Sequence, residues 1–496
     1  MKRIISLLLS VIIAAGIIAS CGEKKDADAE SGGQGAPVNE ADVETEETAA
    51  ETERVPYDTS NRDFGGYEFV IWNYDNYTDN TWDRNTIPSD MESEELNGEI
   101  LNDAVYNRNK TAEEALNISI KVQHKTAGEL NDAINKSIAS GSNDVDAAFV
   151  RLYNFGGYIT SSYLLDLSGI SSFNTDAEWY DTKANRAITI SGRSFGLFTD
   201  AAYFDKLSTI VTFFNQKLAA DYQMGNLYET VENNQWTMDR LLELGAPLSA
   251  DLNNDGSFDM SDSYPLSCQN DAAYYLLHGA DLRICETDDG GSVVFSLEDQ
   301  TTVSVMQKIY EIMQDPTKFL NRQTFGATLY DAINMFCENR TMFLVRPLFS
   351  LFQMRDMEAD FGILPVPKMR ENQHSYGSAV NPYAATIMVI PMSVSDPERS
   401  GAVIDMMSWE SHYSVIDPLY SNVLGNKLVR DEGAPEMLDI VFDSIVCDIG
   451  LVFNFGGVVD SLISNKSTDV VSMTAKIKNK VEKEIDKLNS FIAGME

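Results

Sequence analysis

Six side chains that carry oxygen atoms recur between residues 251 and 262 at the spacing of a calcium-binding loop. They stand at positions 1, 3, 5, 7, 9 and 12 of the loop and are Asp251, Asn253, Asp255, Ser257, Asp259 and Asp262. Gly256 stands at position 6, where such a loop turns sharply. Position 12 is aspartate where glutamate is usual, and its shorter arm weakens bidentate binding. We expect one structural Ca²⁺ here; the alternative is a turn in which these side chains accept backbone N–H groups.

A second group of side chains combines aromatic rings with hydrogen-bonding groups. These residues follow two apolar segments and are Tyr74, Asp75, Tyr77, Arg151, Tyr153 and Asn154. Aromatic planes stack on the apolar C–H faces of sugar rings, while amides and charged groups bond to the hydroxyls. The combination predicts a site for a small ligand, with an oligosaccharide as the first candidate. Burial in the core or a solvated rim is the competing interpretation for each residue.

The elements around these residues alternate between strands and helices. Apolar residues typical of strands occupy 67–72, 118–122 and 147–150. Apolar residues recur at the helical period over 97–116 and 130–139. This alternation predicts parallel βαβ units, in which ligands bind beyond the carboxyl ends of the strands. The segments after Trp72 and Val150 are therefore candidate ligand loops.

The first 21 residues have the composition of an export signal. Lys2 and Arg3 precede an apolar run from Ile4 to Ile18, and small residues lead to Cys21. The run 18–22 resembles the bacterial lipobox, which implies lipidation of Cys21 and attachment to the extracellular face of the cell membrane. An ordinary signal peptide or an uncleaved anchor is the alternative. Residues 22–53 then hold eleven acidic residues against two lysines, so we expect 22–63 to be a disordered acidic tether.

The composition of the chain excludes several classes of function. The 496 residues carry 76 acidic and 37 basic side chains, for a net charge of −39. Nucleic acid and anionic membrane are therefore unfavourable partners, and the charge favours a neutral or cationic ligand. No phosphate-binding, dinucleotide or hydrolase motif is present. The other cysteines, Cys268, Cys285, Cys337 and Cys447, fit no metal motif, and their spacing leaves open disulfides or free thiols.

An ordered series of short motifs resembles the extracellular solute-binding lipoproteins of the maltose-binding-protein class. The motifs are 64–69, 97–109, 166–167, 213–218, 235–239, 361–368, 376–378 and 390–391. The resemblance implies an α/β fold with two lobes joined by a multi-strand hinge. It also implies a non-enzymatic, monomeric receptor that delivers its ligand to an ABC transporter permease. An extracellular glycan-active enzyme and a surface glycan-binding adhesin are the alternatives.

The same resemblance implies where the chain passes between lobes. Crossings are expected near 197–205, 342–348 and 381–390. The N-terminal lobe would comprise 64–200 with 347–388, and the C-terminal lobe 201–346 with 389–496. Further ligand candidates at these crossings are Tyr203, Phe204, Asp205, Arg346, Tyr376 and Tyr383. Trp236 is instead expected to be a core anchor, since Thr237 beside it is placed to cap a helix.

Overall fold

The computed structural model describes residues 54–60, 62–74, 89–425 and 433–495, without the side chains of Leu329 and of 421–425. Cys21, the predicted signal peptide and most of the predicted tether lie outside this part of the chain, as do Asp75 and Tyr77. Among the described residues, no helix has the length and apolar character needed to cross a membrane. Residues 57–496 form one compact unit, and the following description concerns that unit.

The first sheet has the strand order β12-β3-β1-β2. Its strands are β1 (Tyr67–Tyr74), β2 (Ile118–Lys125), β3 (Ala147–Arg151) and β12 (Thr386–Val389). Strand β1 pairs in parallel with β2 and β3, as the alternating pattern predicted, whereas β12 pairs with β3 in the antiparallel sense. The predicted parallel βαβ arrangement is therefore confirmed for this half of the molecule.

The second sheet has the strand order β10-β4-β9-β5-β8. Its strands are β4 (Ile210–Asn215), β5 (Tyr264–Cys268), β8 (Phe319–Asn321), β9 (Thr341–Pro347) and β10 (Phe361–Leu364). Strand β5 is parallel to β8 and β9, so these three strands share a carboxyl edge. Two small ribbons complete the strands: β6 (Cys285–Thr287) with β7 (Val293–Phe295), and β11 (Ser378–Ala379) with β13 (Ile445–Val446).

Helices surround both sheets. Those of the first half of the chain are α1 (Ile100–Leu116), α2 (Ala127–Ser140), α3 (Leu152–Thr160), α4 (Thr182–Ala187), α5 (Phe204–Leu207), α6 (Gln216–Asp221), α7 (Leu227–Glu232) and α8 (Met238–Gly245). Those of the second half are α9 (Ala272–Gly279), α10 (Gln300–Met313), α11 (Leu329–Cys337), α12 (Pro397–Ser414), α13 (Ile416–Gly425), α14 (Ala434–Asp443), α15 (Ile449–Phe453), α16 (Val458–Ser464) and α17 (Val470–Ala493).

The start of α8 confirms the expectation for Trp236. The Thr237 hydroxyl accepts the N–H of Arg240 at 3.2 Å, which caps the helix. Trp236 itself is fully buried, and its indole N–H donates to the carbonyl of Pro365 at 2.9 Å. The residue is a core anchor with its polar atom satisfied, and it leaves ligand binding to other aromatics.

Each sheet organises one lobe. Helices α1, α2, α3 and α12 pack with the first sheet or with one another and form the first lobe, while α8, α9, α10, α11 and α14 do so around the second sheet. The chain passes from the first sheet to the second before β4, and it returns between β10 and β12. A 3₁₀ helix at Leu348–Met354 packs into a hydrophobic cluster that α1, α5 and β10 share, so the lobes have a common apolar base.

These sheet memberships differ from the predicted lobe boundaries. Segment 342–348, expected to be a crossing, lies almost wholly in β9 of the second sheet. Strand β10, expected in the first lobe, also belongs to the second sheet, and α12, expected in the second lobe, packs on α1. A short apolar run shows that a strand is present but not which distant strand it pairs with, so the boundaries could not be read from local pattern.

The hinge is built from backbone hydrogen bonds between segments distant in sequence. The N–H of Asn381 donates to the carbonyl of Ser208 at 2.9 Å, and that of Leu348 to the carbonyl of Thr209 at 2.8 Å. Thr209 also forms an antiparallel bridge with Val380. Segments that leave each sheet are therefore bonded side by side, which is the arrangement in which a few backbone torsions carry lobe rotation.

The lobes also touch away from the hinge. There, helix α3 of the first lobe contacts helix α15, which lies next to the second lobe. A Cβ atom added to Gly156 would lie 2.8 Å from the ring of Phe453. The rings of Phe453 and Phe455 stack with centroids 5.0 Å apart. They line a cavity of about 380 Å³ together with Gly157, Thr160 and residues of α17. Only glycine at position 156 permits this close approach.

A single buried carboxylate connects the start of the described unit to the first lobe. Asp405 on α12 accepts hydrogen bonds from the Tyr57 hydroxyl (2.9 Å), the Trp179 indole N–H (3.0 Å) and the Tyr180 hydroxyl (2.8 Å). Asp405 is only 3% exposed. Burial and the carboxylate together raise the pKa of Tyr57 far above its ordinary value. The packed unit therefore begins at Tyr57, inside the segment 22–63 that was expected to be a tether.

We expect Asp405→Ala to lower the free energy of unfolding by about 3 kcal/mol or more, because it leaves buried Trp179 and Tyr180 donors without an acceptor. Denaturant unfolding followed by fluorescence measures the change. Asp176→Ala is the matched control, since the Asp176 side chain is 90% exposed and only weakly paired with Arg186. Equal stability of the two variants would contradict this account of Asp405.

Candidate functional site

The carboxyl ends of the first sheet bring three predicted residues together. Tyr74 ends β1, Arg151 ends β3, and Tyr153 follows in the first turn of α3. The Arg151 guanidinium carbon lies 5.8 Å from the centre of the Tyr74 ring and 5.5 Å from that of Tyr153. These distances are within the range of cation–π attraction. The structure thus places these candidates at the edge where parallel sheets bind ligands.

A fourth predicted residue, Tyr383, joins this group from a segment 230 positions further along the chain. Its ring stacks on Tyr153 with centroids 4.7 Å apart and planes inclined by 30°. The Tyr153 N–H donates to the carbonyl of Pro382 at 3.0 Å, and the Tyr383 N–H to the side chain of Asn381 at 2.9 Å. The ring pair is therefore fixed by the backbone of the hinge segment and not only by ring contact.

Arg151 is the polar centre of the aromatic group. Its guanidinium lies 5.1 Å from the centre of the Tyr383 ring, and its Nε is buried without a hydrogen-bond partner. The side-chain oxygen of Asn154, one turn along α3, is likewise buried and unpartnered. Buried polar atoms normally have partners, so unpartnered donors and acceptors beside one another indicate a place where a ligand supplies them.

The second lobe contributes a polar cluster at the carboxyl edge of its parallel strands. Gln269 follows β5, Arg322 follows β8, and Arg346 lies near the end of β9. The Gln269 amide oxygen accepts from Arg346 at 3.1 Å and from Arg322 at 3.0 Å, while its amide nitrogen donates to Asp271. Arg346 is 2% exposed, and its Nε has no partner. One amide thus holds two guanidinium groups in place.

Electrostatics connects the two halves of the site. Burial, and after it the negative charge of Asp271, raise the pKa of Tyr383, whereas Arg151 acts in the opposite sense. Burial raises the pKa of Asp271 itself to about 6, although Arg346 and Arg322 favour its ionised form. Tyr383 therefore lies within electrostatic reach of charged groups from both lobes. The site is formed where the carboxyl edges of the two sheets face each other.

Four predicted ligand residues lie elsewhere. Tyr203 is fully buried and Phe204 is 3% exposed, both in the hydrophobic cluster shared by the lobes. Asp205 on the same short helix is 6% exposed, and burial raises its pKa to about 6. Tyr376 donates to the carbonyl of Val231 at 3.0 Å within the second lobe. These four residues were expected at crossings between the lobes, and the crossing segments contain core residues as well as cleft residues.

Gln269, Asp271 and Arg322 belong to the site but were not predicted. All three follow strands of the second sheet, as Tyr74 and Arg151 end strands of the first. The sequence pattern of the second half does not show which of its strands are parallel. The parallel pairing of β5 with β8 and β9 is what brings these residues to one edge.

The predicted calcium loop forms a compact turn in the second lobe. Asp251 accepts the N–H of Gly256 at 2.8 Å, and Asn253 accepts that of Asp255 at 2.9 Å. Both oxygens of fully buried Asp262 accept backbone N–H groups, from Leu252 at 2.9 Å and from Asp259 at 2.8 Å. Oδ1 of Asp251 is buried without a partner. Most of these oxygens are thus already used in turns, and in the described part of the chain no three acidic, His or Cys side chains are grouped as metal ligands.

The four cysteines of the described unit are free thiols. Cys268, Cys285 and Cys447 are buried and Cys337 is partly buried. Burial raises the pKa of Cys268 to about 12, which keeps this thiol protonated and unreactive. Of the two possibilities that spacing left open, the structure shows free thiols.

Comparison with known proteins shows the architecture. No protein-family model matches the sequence, and no curated protein matches it. Solved structures do match along most of the chain. An ABC substrate-binding protein from Listeria monocytogenes in complex with cycloalternan has a TM-score of 0.53 at 12% identity, covering 86% of this chain and 99% of that one. The protein has the two-lobed fold of solute-binding proteins.

Two further structures support the same fold. A cyclo/maltodextrin-binding protein complexed with maltotetraose has a TM-score of 0.55 at 12% identity, over 86% of this chain and 97% of that one. The other is the galacto-N-biose-/lacto-N-biose I-binding protein of an ABC transporter from Bifidobacterium longum, in complex with lacto-N-biose. Its TM-score is 0.55 at 11% identity, and the match covers 86% of this chain and 98% of that one. At such low identity the similarity concerns the fold, and the ligand has to be argued from the site of this chain.

Proposed function

We propose that the protein is an extracellular receptor that captures an oligosaccharide between its lobes and delivers it to an ABC importer. The observation that carries the proposal is the stacked pair Tyr153 and Tyr383 beside Arg151, at the edge where both sheets end. Planar rings next to unpartnered polar atoms are the combination that binds a sugar, which has apolar faces and a rim of hydroxyls. The named ligands of the three similar structures, all glycans, support this class.

The hinge supports a receptor that closes on its ligand. Tyr383 belongs to the segment that is bonded to Ser208 through Asn381, while Arg322 and Arg346 belong to the second lobe. A ligand that touches both sets of residues would bind the closed arrangement better than the open one. Differential affinity of this kind is what shifts a two-state equilibrium. An enzyme acting on the same glycan is the alternative that the first experiment below distinguishes.

Attachment to the membrane is a further part of the proposal. The charged start, apolar run and small residues before Cys21 support lipidation of that cysteine and retention at the outer face of the cell membrane. Two or more acyl chains are needed for stable anchoring, since each buried CH₂ contributes about 0.8 kcal/mol. A permease in the same membrane is the proposed partner.

Calcium in the 251–262 loop is also proposed as a structural ion. The donor spacing and the unpartnered Oδ1 of Asp251 support it. If the ion binds, Asp251, Asn253, Asp255 and Asp259 would hold it, and it would stabilise the turn beside β5 without contacting the sugar site.

Oligosaccharide binding is expected to depend on Tyr153. A thermal-shift screen of the mature protein against tetrasaccharides of different composition should identify a ligand, which at 100 times its Kd stabilises the protein by about 2.7 kcal/mol. Calorimetry should then show at least tenfold weaker binding by Tyr153→Ala, about 1.4 kcal/mol. Tyr222→Ala, at a 40% exposed position outside the site, is the control. Equal affinity of both variants would place the site elsewhere, and hydrolysis of the bound glycan would favour the enzyme.

Replacement of Cys21 is expected to release the protein from the cell. Cys21→Ala removes the proposed lipid attachment point, so the chain should move from the membrane fraction to the medium or remain as unprocessed precursor. Immunoblots of fractions washed with high salt measure this, with Cys337→Ala as the control for loss of a thiol. Unchanged retention of Cys21→Ala in the washed membrane would show that another element anchors the chain.

Removal of calcium is expected to lower the melting temperature. Excess chelator should destabilise the wild-type protein, and re-addition of Ca²⁺ should restore it, because ligands that bind only the folded state stabilise it. Asp255→Ala should remove this sensitivity, whereas Asp289→Ala, on the β6–β7 turn, should keep it. Identical melting of the wild type with and without chelator would leave only the hydrogen-bonded turn.

A further inference from the structure

Three arginines converge on the site without a salt bridge to a carboxylate in the described part of the chain. Arg151 comes from the first lobe, and Arg322 and Arg346 come from the second. Other arginines of the described residues do form such pairs, among them 186, 193, 240, 283, 340 and 399. Arg108 is also buried without a salt bridge, but its donors bond to backbone carbonyls, whereas the Nε atoms of Arg151 and Arg346 have no partner.

These arginines lack ion pairs although acidic residues are abundant in the chain. The chain has about two acidic residues for every basic one, so carboxylates are abundant. Burying a charge without an opposite charge is unfavourable, and folded proteins normally avoid it. Arg346 is nevertheless 2% exposed, and the nearest polar partner of both second-lobe arginines is the neutral amide of Gln269. Local violations of this kind are expected at functional sites.

The acids that do approach the site leave the arginines only partly compensated. Asp271 accepts a hydrogen bond from the Gln269 amide nitrogen, so the amide stands between this carboxyl and the guanidinium groups. Burial makes Asp271 a weaker acid, with a pKa of about 6. Asp460, an exposed residue of α16, contributes negative charge near Tyr383 and accepts a hydrogen bond from Asn454 at 2.9 Å. Asp331 acts on Arg322 as well. Among the described residues, none of these three carboxylates forms a salt bridge with Arg151, Arg322 or Arg346.

We propose that the captured oligosaccharide is acidic, and that Arg322 and Arg346 hold its anionic group while the sugar ring packs at Tyr153 and Tyr383. The proposal rests on the function proposed above and adds the class of ligand. Guanidinium groups bind carboxylate and sulfate oxygens with paired N–H donors, which sugar hydroxyls match less well. The unpartnered Nε atoms of Arg151 and Arg346 are donors that such a ligand would satisfy.

The ligand class differs from what the overall charge predicted. A net charge of −39 favours a neutral or cationic ligand at long range. Screening limits that repulsion to about 8 Å at physiological ionic strength. Inside the cleft, the local arginines act over shorter distances and in a medium of lower dielectric constant, so they determine the preference once the ligand has entered.

The experiment compares acidic with neutral oligosaccharides and includes one pair that differs mainly in charge. Calorimetry of the mature protein at physiological salt would use tetragalacturonate, its fully methyl-esterified form, a sulfated chondroitin tetrasaccharide and maltotetraose. We expect at least one acidic glycan to bind tenfold or more tightly than every neutral one. If it is tetragalacturonate, the preference over its ester identifies a carboxylate; if it is the chondroitin glycan, loss of binding on desulfation identifies a sulfate.

Variants of the arginines identify which guanidinium group binds the anionic group of the ligand. Arg322→Gln should weaken binding of the acidic ligand at least tenfold more than it weakens binding of a neutral glycan. Arg346→Gln is the corresponding variant at the buried arginine. Should it fail to fold, Arg346→Lys, which keeps a cation at that position, takes its place. Arg240→Gln is the control, since Arg240 pairs with Glu243 on the solvent side of α8.

Two results would overturn the proposal in different ways. Tighter binding of the ester or of maltotetraose, or equal losses for charged and neutral glycans in Arg322→Gln, would refute the acidic ligand and keep the oligosaccharide receptor. Binding of none of these glycans, by a protein shown to be folded, would contradict the proposed function and with it this inference.

Discussion

The hydrogen bond from the Asn381 N–H to the carbonyl of Ser208 is the contact on which the site depends. It ties the segment that leaves the second sheet to the segment that leaves the first. The Asn381 side chain then accepts the N–H of Tyr383, and Tyr383 stacks on Tyr153. A hinge contact and an aromatic ring of the candidate site are thus two residues apart. The same short segment both permits rotation of the lobes and fixes the position of an aromatic side chain.

The net charge of the chain and the charged groups at the candidate site favour different ligands. The chain as a whole is strongly acidic, which disfavours association with nucleic acid. At the carboxyl edges of the two sheets three arginines approach, and the amide of Gln269 stands between Asp271 and two of them. Overall composition therefore indicates which macromolecules the protein avoids, whereas the ligand preference proposed above rests on the local network.

The sequence predicted the strands and candidate site residues of the first lobe better than those of the second. The strands 67–72 and 147–150 and the helix after them follow simple local periods, and their ligand loops contain Tyr74, Arg151 and Tyr153 as predicted. Tyr203 was expected at a crossing between the lobes and is buried, because exposure depends on distant segments such as 348–354 that lie in the same hydrophobic cluster. Strand β10 was assigned to the wrong lobe for a similar reason. Pairing between residues more than 100 positions apart has no local signature, and Gln269 became visible only with the parallel register of β5, β8 and β9.

The contact between Gly156 and Phe453 gives this arrangement of the lobes a source of stability that belongs to the protein alone. Apparent affinity equals intrinsic affinity multiplied by the fraction of molecules already in the binding-competent form. A cleft stabilised by its own packing therefore needs less free energy from each captured molecule, and it releases that molecule more slowly. Evolution could adjust retention time at this distant glycine while leaving the residues of the candidate site unchanged. Affinity and selectivity would then be controlled by separate parts of the same fold.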